Sequence, residues 1–133
     1  MPSVELQIPA LSPYVGVVRL ALAALARGAG LDEEKVDDLK IAVSEACSRA
    51  VLAGEAEGPG SPVSVTWTDE ADRIVIEIAD RSGEPSEPTG SDNSLSFSSR
   101  AVMSEALLRS LVDGYESTTA PDGTRTTRLL INR

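Results

Sequence analysis

The stretch Val36-Asp37-Asp38-Leu39-Lys40-Ile41-Ala42-Val43-Ser44-Glu45-Ala46-Cys47-Ser48-Arg49-Ala50-Val51-Leu52-Ala53-Gly54 decides how this chain reads. Val36, Leu39, Val43, Ala46/Cys47 and Ala50 recur at steps of three and four, the spacing of one apolar helical face. Asp32, after Gly30-Leu31, suits the N-cap, and Lys35 three residues later supplies no capping box. Gly54 is the expected C-terminal stop. The other side of the helix carries Ser44, Glu45, Ser48 and Arg49. Small residues and one carboxylate there leave room for something to approach.

Working outward, Val4-Glu5-Leu6-Gln7-Ile8 alternates apolar and polar and predicts a first strand ended by Pro9. Ser12-Pro13 opens an Ala- and Leu-rich helix, with Ser at the cap and Pro in the first position, and Gly28-Ala29-Gly30 closes it. After the central helix and a Gly/Pro/Glu loop, Val63 to Trp67 and Arg73 to Asp80 predict a hairpin turning through Asp69–Asp72. Residues 81 to about 93 change to Ser, Gly, Pro, Glu and Asp. They bury too little apolar surface to order themselves, so a mobile, lid-like loop over about 81–98 is expected. Ala101 to Leu111 gives a third helix. Gly114 to Thr118, the turn Ala120-Pro121-Asp122-Gly123 and Thr124 to Ile131 give a last hairpin. The order β-α-α-β-β-loop-α-β-β predicts an α/β (α+β) two-layer sandwich, a mostly antiparallel sheet with helices on one face.

The bulk numbers exclude several classes. At 133 residues the chain is expected to be a single domain that buries its own core. A net charge of −9 argues against nucleic acid as a partner. With no histidine, triads and metal sites built on imidazole are impossible. Cys47 alone makes no disulfide framework and fits a reducing cytoplasm. No basic leader opens the chain, and the apolar run from Val15 to Ala26 is broken by Arg19 and too short to cross a bilayer.

Two constellations could carry chemistry. Glu45 and Arg49, four apart, form either an exposed ion pair contributing about 0.3–0.5 kcal/mol or the carboxylate side of a pocket. Asp80 ends a strand before Arg81-Ser82-Gly83, either as a turn-starting Asp or as an acceptor for an exocyclic amine of a ligand. Read in order, Leu39 to Val51 and Ile76-Glu77-Ile78-Ala79-Asp80-Arg81-Ser82-Gly83 resemble the anti-sigma factor/serine kinase family of the RsbW and SpoIIAB type. These are small members of the GHKL (histidine-kinase-like) ATPase superfamily. Pro13 to Arg19, Leu108 to Asp113 and Gly123-Thr124 extend the resemblance over nearly the whole chain.

The resemblance implies a Bergerat-type ATPase fold and a switch. Family members hold a sigma factor away from RNA polymerase, and many use ATP to phosphorylate an anti-anti-sigma (STAS-type) protein on Ser or Thr. It gives Glu45 the place of the catalytic base and Asp80 the place of the adenine-recognising acid. Gly83 sits in the bend behind, and Arg19 takes the place of a first-helix arginine that contacts protein partners. Relatives are often homodimers, with the first strand's edge as a contact.

Departures from the family pattern concentrate at the phosphate end. Arg49 stands where the family has an Asn that coordinates magnesium. Magnesium takes oxygen ligands, and a guanidinium offers only donors and a permanent positive charge. Ala53 replaces a frequent His. Ser98 to Leu107 lacks the glycines whose amides would approach phosphates. The expectation is therefore an anti-sigma factor acting by capture, with ATP or ADP binding weakened, no metal and little kinase activity. The competing expectations are a working ATP-dependent serine/threonine kinase and a nucleotide-independent interaction module. Were Arg49 to fill the vacant magnesium position, it would pair with Glu45.

Overall fold

The computed structural model describes residues 2–57, 62–80 and 92–133, with side chains described through Gly54 in the second helix and from Val102 in the third. Chain order is β1 (Ser3–Pro9), α1 (Pro13–Gly28), α2 (Glu33–Glu57), β2 (Pro62–Asp69), β3 (Arg73–Asp80), α3 (Asp92–Leu111), β4 (Gly114–Thr119) and β5 (Arg125–Asn132). The strands form one sheet in the order β1-β2-β3-β5-β4, and every neighbouring pair is antiparallel. This is the expected two-layer arrangement.

Register sorts the sheet into two faces. Trp67 lies opposite Ile76 and Val4, and Ile76 lies opposite Leu129, which in turn faces Tyr115. Side chains alternate across a strand, so Ile74, Ile76, Ile78 and Asp80 share one face with Val63, Val65, Trp67 and Leu129. Those apolar residues join Leu22, Leu39, Val43, Cys47 and Leu108 of the helices in one buried core. The other face carries Glu5, Thr66, Glu77, Arg128 and Glu116, in a row set by the same register. Val75 departs from the alternation: it lies on that polar face yet is 2% exposed, between Thr68 and Leu130.

Helix ends show which local signals held. Asp32 caps α2 as expected, accepting the Lys35 backbone N–H at 2.9 Å, and Glu33 and Glu34 add negative charge to the first turn. Gly30, at φ +88°, closes α1: its N–H donates to Arg27, and the Leu31 N–H donates back to Ala26. That is a Schellman close, with Leu31 packed against the core. Ser12 differs from expectation. It takes helical dihedrals (φ −51°, ψ −39°) and makes no side-chain cap, leaving Pro13 as the start signal. Gly54 differs too. The helix runs through it to Glu57, because a glycine stops a helix only by turning left-handed, and Gly54 keeps helical dihedrals in a buried place.

The third correction concerns the expected loop over 81–98. Residues 81–91 lie outside the described residues, but α3 begins at Asp92, so 92–98 are helical. Ser98–Leu107 thus falls inside a helix and not at its beginning. Among the described residues no helix is long and apolar enough to cross a membrane.

Candidate functional site

Arg49 and Asp80 come together between α2, the end of β3 and β5, whereas Glu45, one turn earlier on α2, meets α3. Arg49 and Asp80 line one small hollow with Ala46, Ala50, Arg125 and Thr127. Helical spacing puts Glu45 one turn before Arg49 on α2, and register puts Asp80 opposite Arg125 on the helix-facing side of the sheet. Asp80 is 6% exposed, so its carboxylate sits within the fold. Gly83 lies outside the described residues.

Glu45 and Arg49 do not pair. The Ser104 hydroxyl donates to Glu45 Oε1 at 2.6 Å, reaching across from α3. Arg49 instead donates through Nη1 to the Tyr115 hydroxyl at 3.4 Å, a long bond to a group on β4. No ion pair between the two is present among the described residues, which corrects the expected neutralising contact. The reason is competition: each charge has found a nearer partner on a neighbouring element. Tyr115 is held from a second side by the Arg109 guanidinium, 5.1 Å from its ring centroid. Sequence reasoning missed Ser104 and Tyr115. A serine inside a helical run and a tyrosine after a Gly carry no signal of whom they will meet.

Among the described residues the corner at Asp80 and Arg49 forms no cavity of nucleotide size. The hollow beside Asp80 and Arg49 holds about 10 Å³, roughly the space of one water. Ligand sites of nucleotide size run to several hundred Å³, on the order of 300–1,000. The amides of Ser98 to Leu107 lie within α3 and are spent on its own ladder, whereas anion cradles use the free amides of a helix start. Magnesium does not fit either, since Arg49 offers it no oxygen. Among the described residues no group of three or more His, Cys, Asp or Glu could hold a metal.

The larger hollow, about 310 Å³, lies elsewhere, between the start of α2 and the ends of α3 and β5. Asp32, Glu34, Asp38 and Asp113 line it against the single cation of Lys35. Its charge repels phosphate, so size alone does not make it the nucleotide site. Lys35 is already engaged, donating to the Asn132 carbonyl at 3.0 Å.

Arg19 stands apart from this group, exposed on α1. On the same helix Tyr14, Val17 and Leu20 are 41%, 53% and 67% exposed. Cys47 is buried on the inner face of α2, and burial pushes its thiol up to about 12. It is packing, as its place in the helical pattern implies.

Comparison with known proteins agrees with this architecture. The serine-protein kinase RsbW of Bacillus subtilis (strain 168) is 39% identical over 77 residues, 58% of this chain and 48% of that protein. The serine-protein kinase RsbW of Bacillus pumilus (strain SAFR-032) is 42% identical over 82 residues, 60% of this chain and 51% of that protein. The chain therefore spans about half the length of the curated relatives it matches. A crystal structure of the RsbU and RsbW domains of a Mycobacterium tuberculosis protein superposes with a TM-score of 0.73. It covers 98% of this chain and 32% of its own at 19% identity, a likeness of fold. The histidine kinase-like ATPase domain matches residues 8–128, which take in all three helices and β2 to β4, and the chain belongs to that family.

Proposed function

We propose that this protein acts as an anti-sigma factor that works by stoichiometric capture, with kinase chemistry weak or absent. The observation that carries the reading is the state of the phosphate end. Glu45, the candidate base, accepts the Ser104 hydroxyl, Arg49 donates to Tyr115, and the hollow that Arg49 lines with Asp80 holds about 10 Å³. The Ser104 bond takes up part of the acceptor capacity of the candidate base, and a guanidinium stands in place of a metal ligand, which together support weakened transfer from a triphosphate.

Capture needs a surface, and α1 offers one. Tyr14, Val17 and Leu20 are exposed on α1 and Arg19 is exposed on the same helix, so one element offers apolar area and a bidentate-capable cation. The partner on this reading is a sigma factor, released when an anti-anti-sigma (STAS-type) protein competes for the same chain. A net charge of −9 favours partners with basic patches and disfavours nucleic acid. A homodimer is part of the same reading, as is a cytoplasmic setting.

A second reading, an active ATP-dependent serine kinase, is favoured by one observation: the similar relatives are serine-protein kinases, and Glu45 and Asp80 are both retained. Transfer of labelled phosphate from ATP to the cognate STAS protein separates the two. Capture predicts a stable complex with the sigma factor and no transfer. Magnesium-dependent transfer that disappears in Glu45→Ala overturns it.

A further inference from the structure

We propose that the outer side of the α2–α3 seam is a docking groove for a basic, amphipathic helical segment of a partner protein. The partner's arginine or lysine side chains enter the acidic hollow at the end of that groove. The inference stands apart from the capture reading, since neither α1 nor the corner at Asp80 and Arg49 enters it.

The two helices run antiparallel here. The Ser104–Glu45 bond ties them at one level, and the hollow of about 310 Å³ brings Glu34 and Asp38 of α2 to Ser110 and Leu111 of α3. On α2, Glu34, Asp38, Ile41 and Glu45 follow at steps of four, three and four, so they share one face. On α3, Met103, Leu107 and Ser110 follow at steps of four and three. Both rows therefore lead from the level of that bond into the hollow. Their apolar members are left in solvent: Ile41 is 49%, Leu107 40% and Met103 73% exposed. Large apolar side chains gathered along one seam mark a contact surface, whereas scattered ones need no explanation.

Charge selects what covers them. Asp32, Glu34, Asp38 and Asp113 line the hollow against the one ammonium of Lys35, which donates to the Asn132 carbonyl. Asp32 and Asp113 each use one oxygen on a backbone N–H, of Lys35 and Asn132. Glu34 and Asp38 make no hydrogen bond or ion pair among the described residues. A concave wall of one sign focuses its field and draws in the opposite charge. Among the described residues no three of these carboxylates could hold a metal ion, so the charge is spread for an organic cation. Leu111, Val112 and Ile131 add an apolar wall to the hollow, which suits the methylene stem of an arginine or lysine. From Ser110 back to Met103 is two turns, about 10 Å of helix. A helical occupant with basic residues at one end thus lays its apolar residues, one and two turns on, over Leu107 and Met103.

The test titrates a helical peptide into the full chain by calorimetry. The peptide is alanine-based, about 15 residues long, with two arginines one turn apart and two leucines beyond them on the same face. Saturable binding is expected, weakened at least tenfold in Glu34→Gln/Asp38→Asn, whose carboxylates hold no structural bond. Ile41→Ser/Leu107→Ser is expected to weaken it at least fivefold while its salt dependence stays as in wild type. Glu5→Gln/Glu116→Gln removes the same charge from the outer face of the sheet and is expected to bind as wild type does. Absence of saturation at millimolar peptide overturns the groove, as does unchanged affinity in either of the first two variants. An equal loss in Glu5→Gln/Glu116→Gln overturns it too, since that is general attraction to an acidic chain. Spermine binding as tightly as the peptide overturns it in favour of a site for small polyamines. Should Ile41→Ser/Leu107→Ser lose its fold, the peptide with serines in place of its leucines is titrated into wild type. Equal affinity of the two peptides then overturns the groove, and a fivefold loss supports it.

Discussion

At the scale of single residues, the contacts of Tyr115 divide into separable parts. Its hydroxyl accepts a long bond from Arg49, its ring receives the Arg109 cation, and its body is 9% exposed in the core. Tyr115→Phe removes only the first, and a 3.4 Å bond is weak, so the expected loss in denaturant unfolding is below about 1 kcal/mol. Tyr115→Ala removes all three and leaves a cavity, an expected loss of about 3–5 kcal/mol. If the two variants are equally destabilised, the ring is not carrying the packing assigned to it. Cys47 gives a pH prediction of definite sign. Burial raises its thiol from an ordinary 9.0 to about 12, so the folded state holds the proton more tightly than the unfolded chain. The stabilisation is complete below pH 9.0 and is lost as pH rises through 9.0 toward 12. Relative to Cys47→Ala, wild type is expected to lose about 1.4 kcal/mol per pH unit across that window. A parallel pH profile for the two proteins refutes it. The same burial predicts that a thiol reagent labels Cys47 only after denaturant is added.

At the scale of elements, periodicity was the reliable guide and helix ends were not. The apolar steps from Val36 to Ala50 placed α2, and the alternation in Ile74, Ile76 and Ile78 placed the central strand, because both arise from burial of one face. The ends depend on a single residue's dihedrals, which a core can override. Gly30 and Gly54 are the same residue type after an Ala-rich helix, yet only Gly30 goes left-handed. Leu31, next to it, finds the core, and Gly54 lies within a helix that the packing of Ala50 and Val51 carries onward. Gly30→Ala must therefore hold a left-handed φ with a Cβ, an expected cost of about 1–2 kcal/mol. Asp32→Ala loses a satisfied cap and is expected to cost about 0.5–2 kcal/mol. Gly114→Ala fails for another reason: an added Cβ would stand 2.8 Å from Leu130 Cδ1 and 3.1 Å from its Cβ, on the polar face of the sheet. Overpacking of this kind costs about 1–3 kcal/mol. Thermal melts rank the three, and a Gly114→Ala variant as stable as wild type would mean that Leu130 has room to turn.

At the scale of the molecule, the candidate site was half legible. Glu45, Arg49 and Asp80 could be singled out in the sequence, and the fold brings Arg49 and Asp80 to one hollow while Glu45 meets α3. What each touches could not be read, because Ser104 and Tyr115 arrive from elements 59 and 66 residues away in sequence. Their arrival ties Glu45 to α3 and Arg49 to β4. The surface proposed for capture is the outside of α1, where Tyr14, Val17, Arg19 and Leu20 are exposed. Leu20 is 67% exposed, so Leu20→Glu puts a charge into solvent in the free protein and is expected to leave its melting temperature unchanged. In a complex that buries the α1 face the same charge lies in a desolvated apolar contact, and sigma-factor binding is expected to weaken by at least a hundredfold, about 2.7 kcal/mol. Arg19→Ala tests the cation on the same helix and is expected to speed dissociation of the sigma factor, since a charged partner group buried in the complex is left unpaired. Both variants keep Glu45, Ser104 and Arg49 intact, so any change in capture comes from the surface and not from the nucleotide end. A Leu20→Glu protein that captures the sigma factor as tightly as wild type would place the partner on another face of the fold.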